Sequence, residues 1–290
     1  MENSKVMRKI LFFSIVIVAV ALTLFWAKDR KSKTLERASG AKKAGNVKEL
    51  EQKILSFSID GRTSKDVKQW HLEGETAEMI DSEIHFDALQ AVAYAEDATI
   101  NLTSDSGIYC KEKGEVILIG NVRVVSDDGS VLTTEKAKWS QDSREISSDV
   151  LIRIERENMI AVGKGGSANS GKKTAMLKED VVVDIKPDTR VSSDGPLVVN
   201  HDENIAVFSD NVKVKDKDGK LFSDKLTVHF DPETQKIAKV VAEGNVKVRR
   251  GRSYTISEKA IYTESTKSAK LIGRPRVIID PAELEKLSKR

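Results

Sequence analysis

The chain has 290 residues, 39% hydrophobic and 32% charged, with five prolines and a formal net charge of +3. That length allows one large or two ordinary domains, and the composition excludes a disordered chain. Basic residues interleave with acidic ones and aromatics make up only 5%, which argues against a nucleic-acid binder.

Taken in order, the chain opens with an 18-residue uncharged run, Ile10 to Ala27, flanked by Lys5, Arg8 and Lys9 before it and Lys28, Arg30, Lys31 and Lys33 after it. This reaches the roughly 17 to 25 residues that span a bilayer. A cleavable signal peptide is the alternative, since Ala19-Val20-Ala21 resembles a small-residue cleavage site. Leu22 to Ala27 stays apolar beyond that site, which favours an uncleaved transmembrane anchor within residues 1–27. Three basic residues before the span against four just after it leave the orientation open. Residues 28–53, rich in Lys, Ala, Gly and Glu, read as a juxtamembrane linker.

From Ile54 the texture changes. Leu55, Phe57 and Ile59 alternate with polar residues and predict a first strand. Trp70 to Gly74 predicts a second, with Ala77 to Met79 continuing after a glycine break and Asp81-Ser82 as a turn. Ile84 to Phe86 and Ala98 to Leu102 predict further short strands. Cys110, alternating with Tyr109, reads as a buried structural thiol; one cysteine cannot close an intramolecular disulfide and does not identify the redox compartment.

Next comes the stretch that organises the chain, Glu115 to Val125. Its Asn121-Val122-Arg123-Val124 has the period of two expected of a strand with one buried face. Similar units begin at Asp149, Asp180, Asn211 and Asn245, and their valines 122, 150, 181, 212 and 246 are 28, 31, 31 and 34 residues apart. A fainter echo falls at Arg276-Val277-Ile278. Such self-similarity marks a stacked architecture in which no unit buries its apolar face alone.

The turns are legible too. Asp127-Asp128-Gly129 and Asp216-Lys217-Asp218-Gly219 follow the repeated valines, and Asp-Gly between alternating strands is a hairpin signal. Thr134 to Trp139, Ser223 to Val228 and Ser257 to Tyr262 match one another as strands ending on a large apolar residue. About three short strands per period, roughly 20 in residues 54–280, are expected. Asn169 to Lys173 and Asp188 to Gly195 read as loops; the latter, between Pro187 and Pro196, marks a boundary near residue 190. Residues 54–190 and 191–281 are then two β modules, and residues 282–290 a tail.

Charge is uneven along this chain: +5 in residues 1–33, +7 in 210–290, and −9 in between. That asymmetry fits either head-to-tail association or an anionic ligand at the C-terminal end, or simply solvated strand faces that differ.

No constellation points to catalysis. His71, His85, His201 and His229 share no ligand spacing, so no metal is expected. Asp216-x-Asp218-Gly219 lacks the glutamate a calcium loop needs, and Gly163, Gly165 and Gly166 precede no helix, so no phosphate cradle or cofactor is expected. Neither G-x-S-x-G nor S-x-x-K falls in a fitting context. What remains is an apolar strand face with few aromatics, which either closes as a sandwich core or stays open along one edge to hold acyl chains.

The N-terminal span, W-x-L-x-G at Trp70 to Gly74, G-N-V-R-V at Gly120 to Val124 with its Asp-Gly turn, and T-x-x-A-x-W at Thr134 to Trp139 together resemble the LptC family of lipopolysaccharide export proteins. Pro196 to Val199, Asp210-Asn211-Val212, Ser223 to Leu226 and Ala242 to Val246 look like the OstA/LptA-like β repeat of the same pathway. The resemblance covers roughly residues 54–280. It implies an all-β fold, an antiparallel β-jellyroll of two twisted sheets open along one side, preceded by one N-terminal transmembrane helix.

It also implies a non-enzymatic inner-membrane protein with a periplasmic body. Such a protein accepts lipopolysaccharide, by its lipid A acyl chains, from an inner-membrane ABC transporter permease/ATPase complex. It then passes the lipid along an edge-to-edge bridge, through an LptA-like protein or self-association. The alternative is an anchored protein-interaction repeat with a closed core and no lipid cargo. By alternation, Leu118, Val122 and Val124 face a lipid groove, with Val212, Val214, Val246 and Val248 equivalent, while Arg123, Lys213 and Lys247 face water. The chain exceeds a minimal LptC by an appended repeat module, so whether it needs a separate bridging protein stays open.

Overall fold

The computed structural model describes residues 52–62, 68–94, 99–110, 112–140, 142–169 and 171–280. The expected anchor and tail lie outside them, as does the expected linker except for Gln52 and Lys53, which open the first strand. No helix of the described residues is long and apolar enough to cross a membrane.

The described residues form seventeen strands. The first nine are β1 (Gln52–Arg62), β2 (Lys68–Ile80), β3 (Glu83–Tyr94), β4 (Thr99–Cys110), β5 (Glu115–Ser126), β6 (Val131–Ser140), β7 (Glu145–Arg156), β8 (Met159–Asn169) and β9 (Thr174–Ile185). Two short strands follow, β10 (Thr189–Ser193) and β11 (Leu197–Asn200). The remainder are β12 (Ile205–Lys215), β13 (Lys220–Phe230), β14 (Ile237–Arg250), β15 (Ser253–Thr263), β16 (Ser268–Ile272) and β17 (Arg276–Ile278).

All belong to one hydrogen-bonded sheet, and each pairing is antiparallel between strands consecutive or one apart in sequence. Period-two patterning with Asp-Gly turns favours this meander, because each hairpin is closed by a local turn. Asp128 Oδ1 accepts from Ser130 N at 2.9 Å in the β5–β6 turn. Asp216 Oδ1 accepts from Asp218 N and Gly219 N, both at 2.7 Å, in the β12–β13 turn.

The strands are fewer and longer than expected, two rather than three per period. Gly74 does not break β2: a Cβ there would lie 2.7 Å from the Phe57 ring, so the glycine admits that ring against an unbroken strand. The segment expected as a loop at 188–195 holds β10, which pairs with both β9 and β12. β11 continues the same line, also between β9 and β12. The sheet therefore runs through residue 190 without an edge.

The long strands stay continuous because they bend at a bulge. On β5, Ile119 faces Lys136 of β6 and Val122 faces Thr134, so Gly120 and Asn121 oppose one residue. The same offset recurs at Ser209/Val212 on β12 and Glu243/Val246 on β14. An extra residue of this kind kinks a strand and increases its twist.

Two large apolar clusters, and a small one of Ala168 and Ala175, fill the interior of the described residues. One, around Phe57, Leu89, Ile100, Leu102, Leu118, Val122 and Val124, lies under β1–β6. The larger, from Ile152 to Ala260 and including Val181, Leu197, Phe208, Val212, Leu226 and Val246, lies under β7–β15.

Candidate functional site

The site is built on the Gly-Asn corner. Asn121, Asn211 and Asn245 have φ of 45°, 50° and 47°, and Gly120 and Gly244 have 78° and 75°. These left-handed values suit glycine and are tolerated by asparagine. Each asparagine also closes a clamp to the preceding strand. Asn121 Nδ2 donates to Asp105 at 2.8 Å, Asn211 to Asp194 at 2.7 Å and Asn245 to Asp224 at 2.9 Å. A Cβ on Gly120 or Gly244 would collide with the same aspartate. The G-N-V signature thus encodes a bend, with the valine of each motif turned inward just beyond it.

What the bend achieves is visible on β12. Phe208 lies before the bulge and Val214 after it, and both line one cavity, so the strand keeps one face on the interior through the bend. That cavity measures about 590 Å³. Its walls are Met159, Ala161, Leu177, Val183, Ile185 and Val191 on one side of the fold, and Leu221, Leu226, Val228, Phe230, Val240 and Val248 further along. The mouth is polar, formed by Asp216, Asp218, Gly219 and Lys220 with Arg249 and Arg250. A smaller cavity of about 60 Å³ under β6–β9 is lined by Leu132, Ala137, Ile146, Ile152 and Ala168, and shares Leu177, Leu197 and Val199 with the large one. Apolar space therefore extends from β6 to β15.

The seven residues expected in the groove divide into two groups. Leu118, Val122, Val124, Val212 and Val246 are 4%, 1%, 2%, 0% and 0% exposed and sit in the packed clusters, lining neither cavity. Val214 and Val248 are half-buried and line the large cavity. Arg123, Lys213 and Lys247 are exposed. Val212 and Val246, next to the bulge, pack within the large cluster, while Val214 and Val248, two residues on, border the cavity; Val124, at the same position on β5, stays packed where neither cavity reaches. Sequence reasoning missed Phe208, Leu226, Val228 and Phe230. Their signal was the alternation Ala206-x-Phe208 and Leu226-x-Val228-x-Phe230 on the other arm of the bend.

His71 is within 2.7 Å of Asp60 and 3.3 Å of Glu73, and His85 lies 3.1 Å from Glu83. Hydrogen bonds from Lys68 and then His71 hold the Asp60 carboxyl down at about 2. Burial, and secondarily Lys239, pushes His229 below the usual histidine range. Burial likewise lowers Arg156, whose side chain is 3% exposed and stands 3.5 Å from Asp128. Among the described residues no group of His, Cys, Asp and Glu is arranged to hold a metal ion.

A meander of antiparallel strands bent at repeated bulges around an apolar interior defines a β-jellyroll-type repeat protein. Two family models divide the sequence. Residues 14–186 match the family described as "Lipopolysaccharide-assembly, LptC-related", and residues 190–285 match "LptA/(LptD N-terminal domain) LPS transport protein". The first match covers more than half of the chain, which therefore belongs to the LptC-related family. Among solved structures, LptH, described as the LptA homologous periplasmic component of the conserved lipopolysaccharide transport device from Pseudomonas aeruginosa, is similar at 17% identity and a TM-score of 0.36, over 43% of this chain and 96% of its own. No match was found among curated proteins.

Proposed function

We propose that the chain is a non-enzymatic component of lipopolysaccharide transport, with Ile10 to Ala27 as its inner-membrane anchor and the β body in the periplasm. It accepts lipid from an inner-membrane ABC transporter, holds the acyl chains in its apolar interior, and passes them along an edge-to-edge β bridge. Residues 54–190 and 191–281 act as two modules of that bridge.

The observation that carries the reading is the 590 Å³ cavity with apolar walls. An apolar cavity of about 150 Å³ takes a benzene; four times that volume holds on the order of two dozen carbons, the size of two acyl chains. Each buried methylene contributes about 0.8 kcal/mol, so burial of the chains offsets the loss of membrane contact. Both ends of the sheet carry exposed apolar residues, Ile54, Leu55 and Ile59 on β1, and Val277 and Ile278 on β17, which suits strand addition by a partner.

One observation favours a closed core in the N-terminal half: Val122 and Val124 are 1% and 2% exposed within a dense cluster. Lipid then occupies the β7–β15 space and the β1–β6 half serves protein contacts.

Photocrosslinking in cells tests this directly. A photoreactive residue at Val248 should capture lipopolysaccharide, and one at neighbouring, outward-facing Lys247 should not. Capture at neither position, with both variants folded and expressed, refutes the lipid-carrying reading.

A further inference from the structure

The mouth of the large cavity carries Lys220 and Arg249, and Lys215 extends the pair into a row of cations along the ladder. Lys215 of β12 lies directly opposite Lys220 of β13, and Lys220 directly opposite Arg249 of β14. Like charges placed opposite one another weaken a ladder. Several cations on other strands are matched: Lys138 with Glu115 at 3.1 Å, Lys259 with Glu243 at 2.7 Å, and Arg190, beside Lys215, with Asp184 at 2.5 Å. By contrast, Lys215, Lys220 and Arg249 have no described carboxylate within ion-pairing distance, and all three are exposed. Arg249 Nε is used only by the Gly251 carbonyl at 3.0 Å, and nearby Arg250 stands 3.7 Å from Asp218.

Their place in the strands gives the row a meaning. Each cation is the chain neighbour of a cavity-lining residue: Lys215 of Val214, Lys220 of Leu221, Arg249 of Val248. Val214 and Val248 both pair with Leu221 across the ladder, so an apolar row lies immediately inside the cationic one. Gly219 fixes the spacing, because a Cβ there would strike the Arg249 carbonyl. The acids at the mouth do not neutralise the row. Asp216 is taken up by the amides of its own turn, and Asp218 faces Arg250.

We propose that Lys215, Lys220 and Arg249, with Arg250 beside them, form a head-group site for a phosphate-bearing amphiphile whose chains enter past Val214, Leu221 and Val248. Guanidinium and ammonium groups donate charge-assisted hydrogen bonds to phosphate oxygens. The site gives the lipid a direction, head at the β12–β13 and β14–β15 turns and tails toward Phe208 and Leu226. This rests on the cavity carrying lipid, as proposed above.

The test is binding to the full chain in mild detergent, read by displacement of a fluorescent fatty-acid probe. The competitors are bisphosphorylated lipid A, the same lipid dephosphorylated, and phosphatidylglycerol. The phosphorylated form is expected to compete about tenfold better or more, with the advantage shrinking as salt rises. K215Q/K220Q/R249Q abolishes that advantage while leaving the dephosphorylated lipid unaffected, and K220R/R249K retains it. Phosphatidylglycerol matching lipid A assigns the site to phospholipid phosphate as well; failure to match assigns it to the glycolipid. Equal competition by both lipid A forms on the unaltered chain, or equal loss of both in the triple variant, overturns the head-group site but leaves the lipid cavity standing. Displacement by none of the lipids overturns both.

Discussion

Truncating Val246 and Val248 separately distinguishes a packed corner from an open cavity on one strand. Val246 is 0% exposed and packs within the large cluster, so Val246→Ala leaves a void. One methyl removed from a packed core costs about 0.5 to 1.5 kcal/mol, so two cost about 2. Val248 already borders empty space and is half-buried, so its loss opens no new void. Half the transfer value of two methyls, at ~0.8 kcal/mol each, is about 0.8 kcal/mol. Amide hydrogen exchange over β13–β15 reads both locally, which matters in a repeat that need not unfold all at once. At 1.4 kcal/mol per decade, V246A should speed exchange there about 30-fold and V248A about fourfold. Equal acceleration by the two variants would show that the space beside Val248 is not open, and would refute lipid carriage there.

Three further outcomes follow from the geometry. Asn245→Gly keeps the left-handed backbone but loses the bond to Asp224, and should cost about 1 kcal/mol; Asn245→Val adds β-branched strain and should cost visibly more, both measured by exchange across β13–β15. Arg156→Met strands the half-buried Asp128 carboxylate and should destabilise by about 3 kcal/mol, with R156M/D128N recovering most of it, as read by exchange in β7 and β8. Asp60, held at about 2 by Lys68 and His71, favours the folded state above the ordinary carboxylate range. The β1–β2 pairing should therefore loosen as pH falls from about 4 to about 2, and Asp60→Asn should remove that dependence, followed by exchange in β1.

The fold was legible where chemistry repeats at fixed spacing. Val122, Val212 and Val246 reported an inward face, and Asp127 to Gly129 and Asp216 to Gly219 reported turns, because these depend on a few neighbouring residues. Strand length was not legible. The Gly-Asn pair inside the repeated stretch gave no sign of a bend, and only the aspartate on the adjacent strand, 16 or 21 residues away for Asn121 or Asn245, makes it one within a continuous strand. Gly74 misled for the same reason, since its partner Phe57 is on another strand. The difference between Val246 and Val248 was out of reach as well: alternation says which face a residue takes, whereas how tightly that face is packed at each point depends on strands distant in sequence. His229 illustrates the point for charge, since Lys239 beside it is brought in by the β13–β14 register.

The split strand formed by β10 and β11, wedged between β9 and β12, lies where the two family segments meet. Between separate proteins, an edge-to-edge junction is an equilibrium, occupied only as far as concentration allows. In this chain β9, β10, β11 and β12 pair within one polypeptide, and a short tether holds such strands at an effective concentration of about millimolar or above. Their pairing therefore stays closed when copies of the chain are scarce, and it cannot exchange one partner for another. Cutting the polypeptide at this point would convert a permanent seam into a reversible one, and would bare β9 as a long edge open to wrong neighbours.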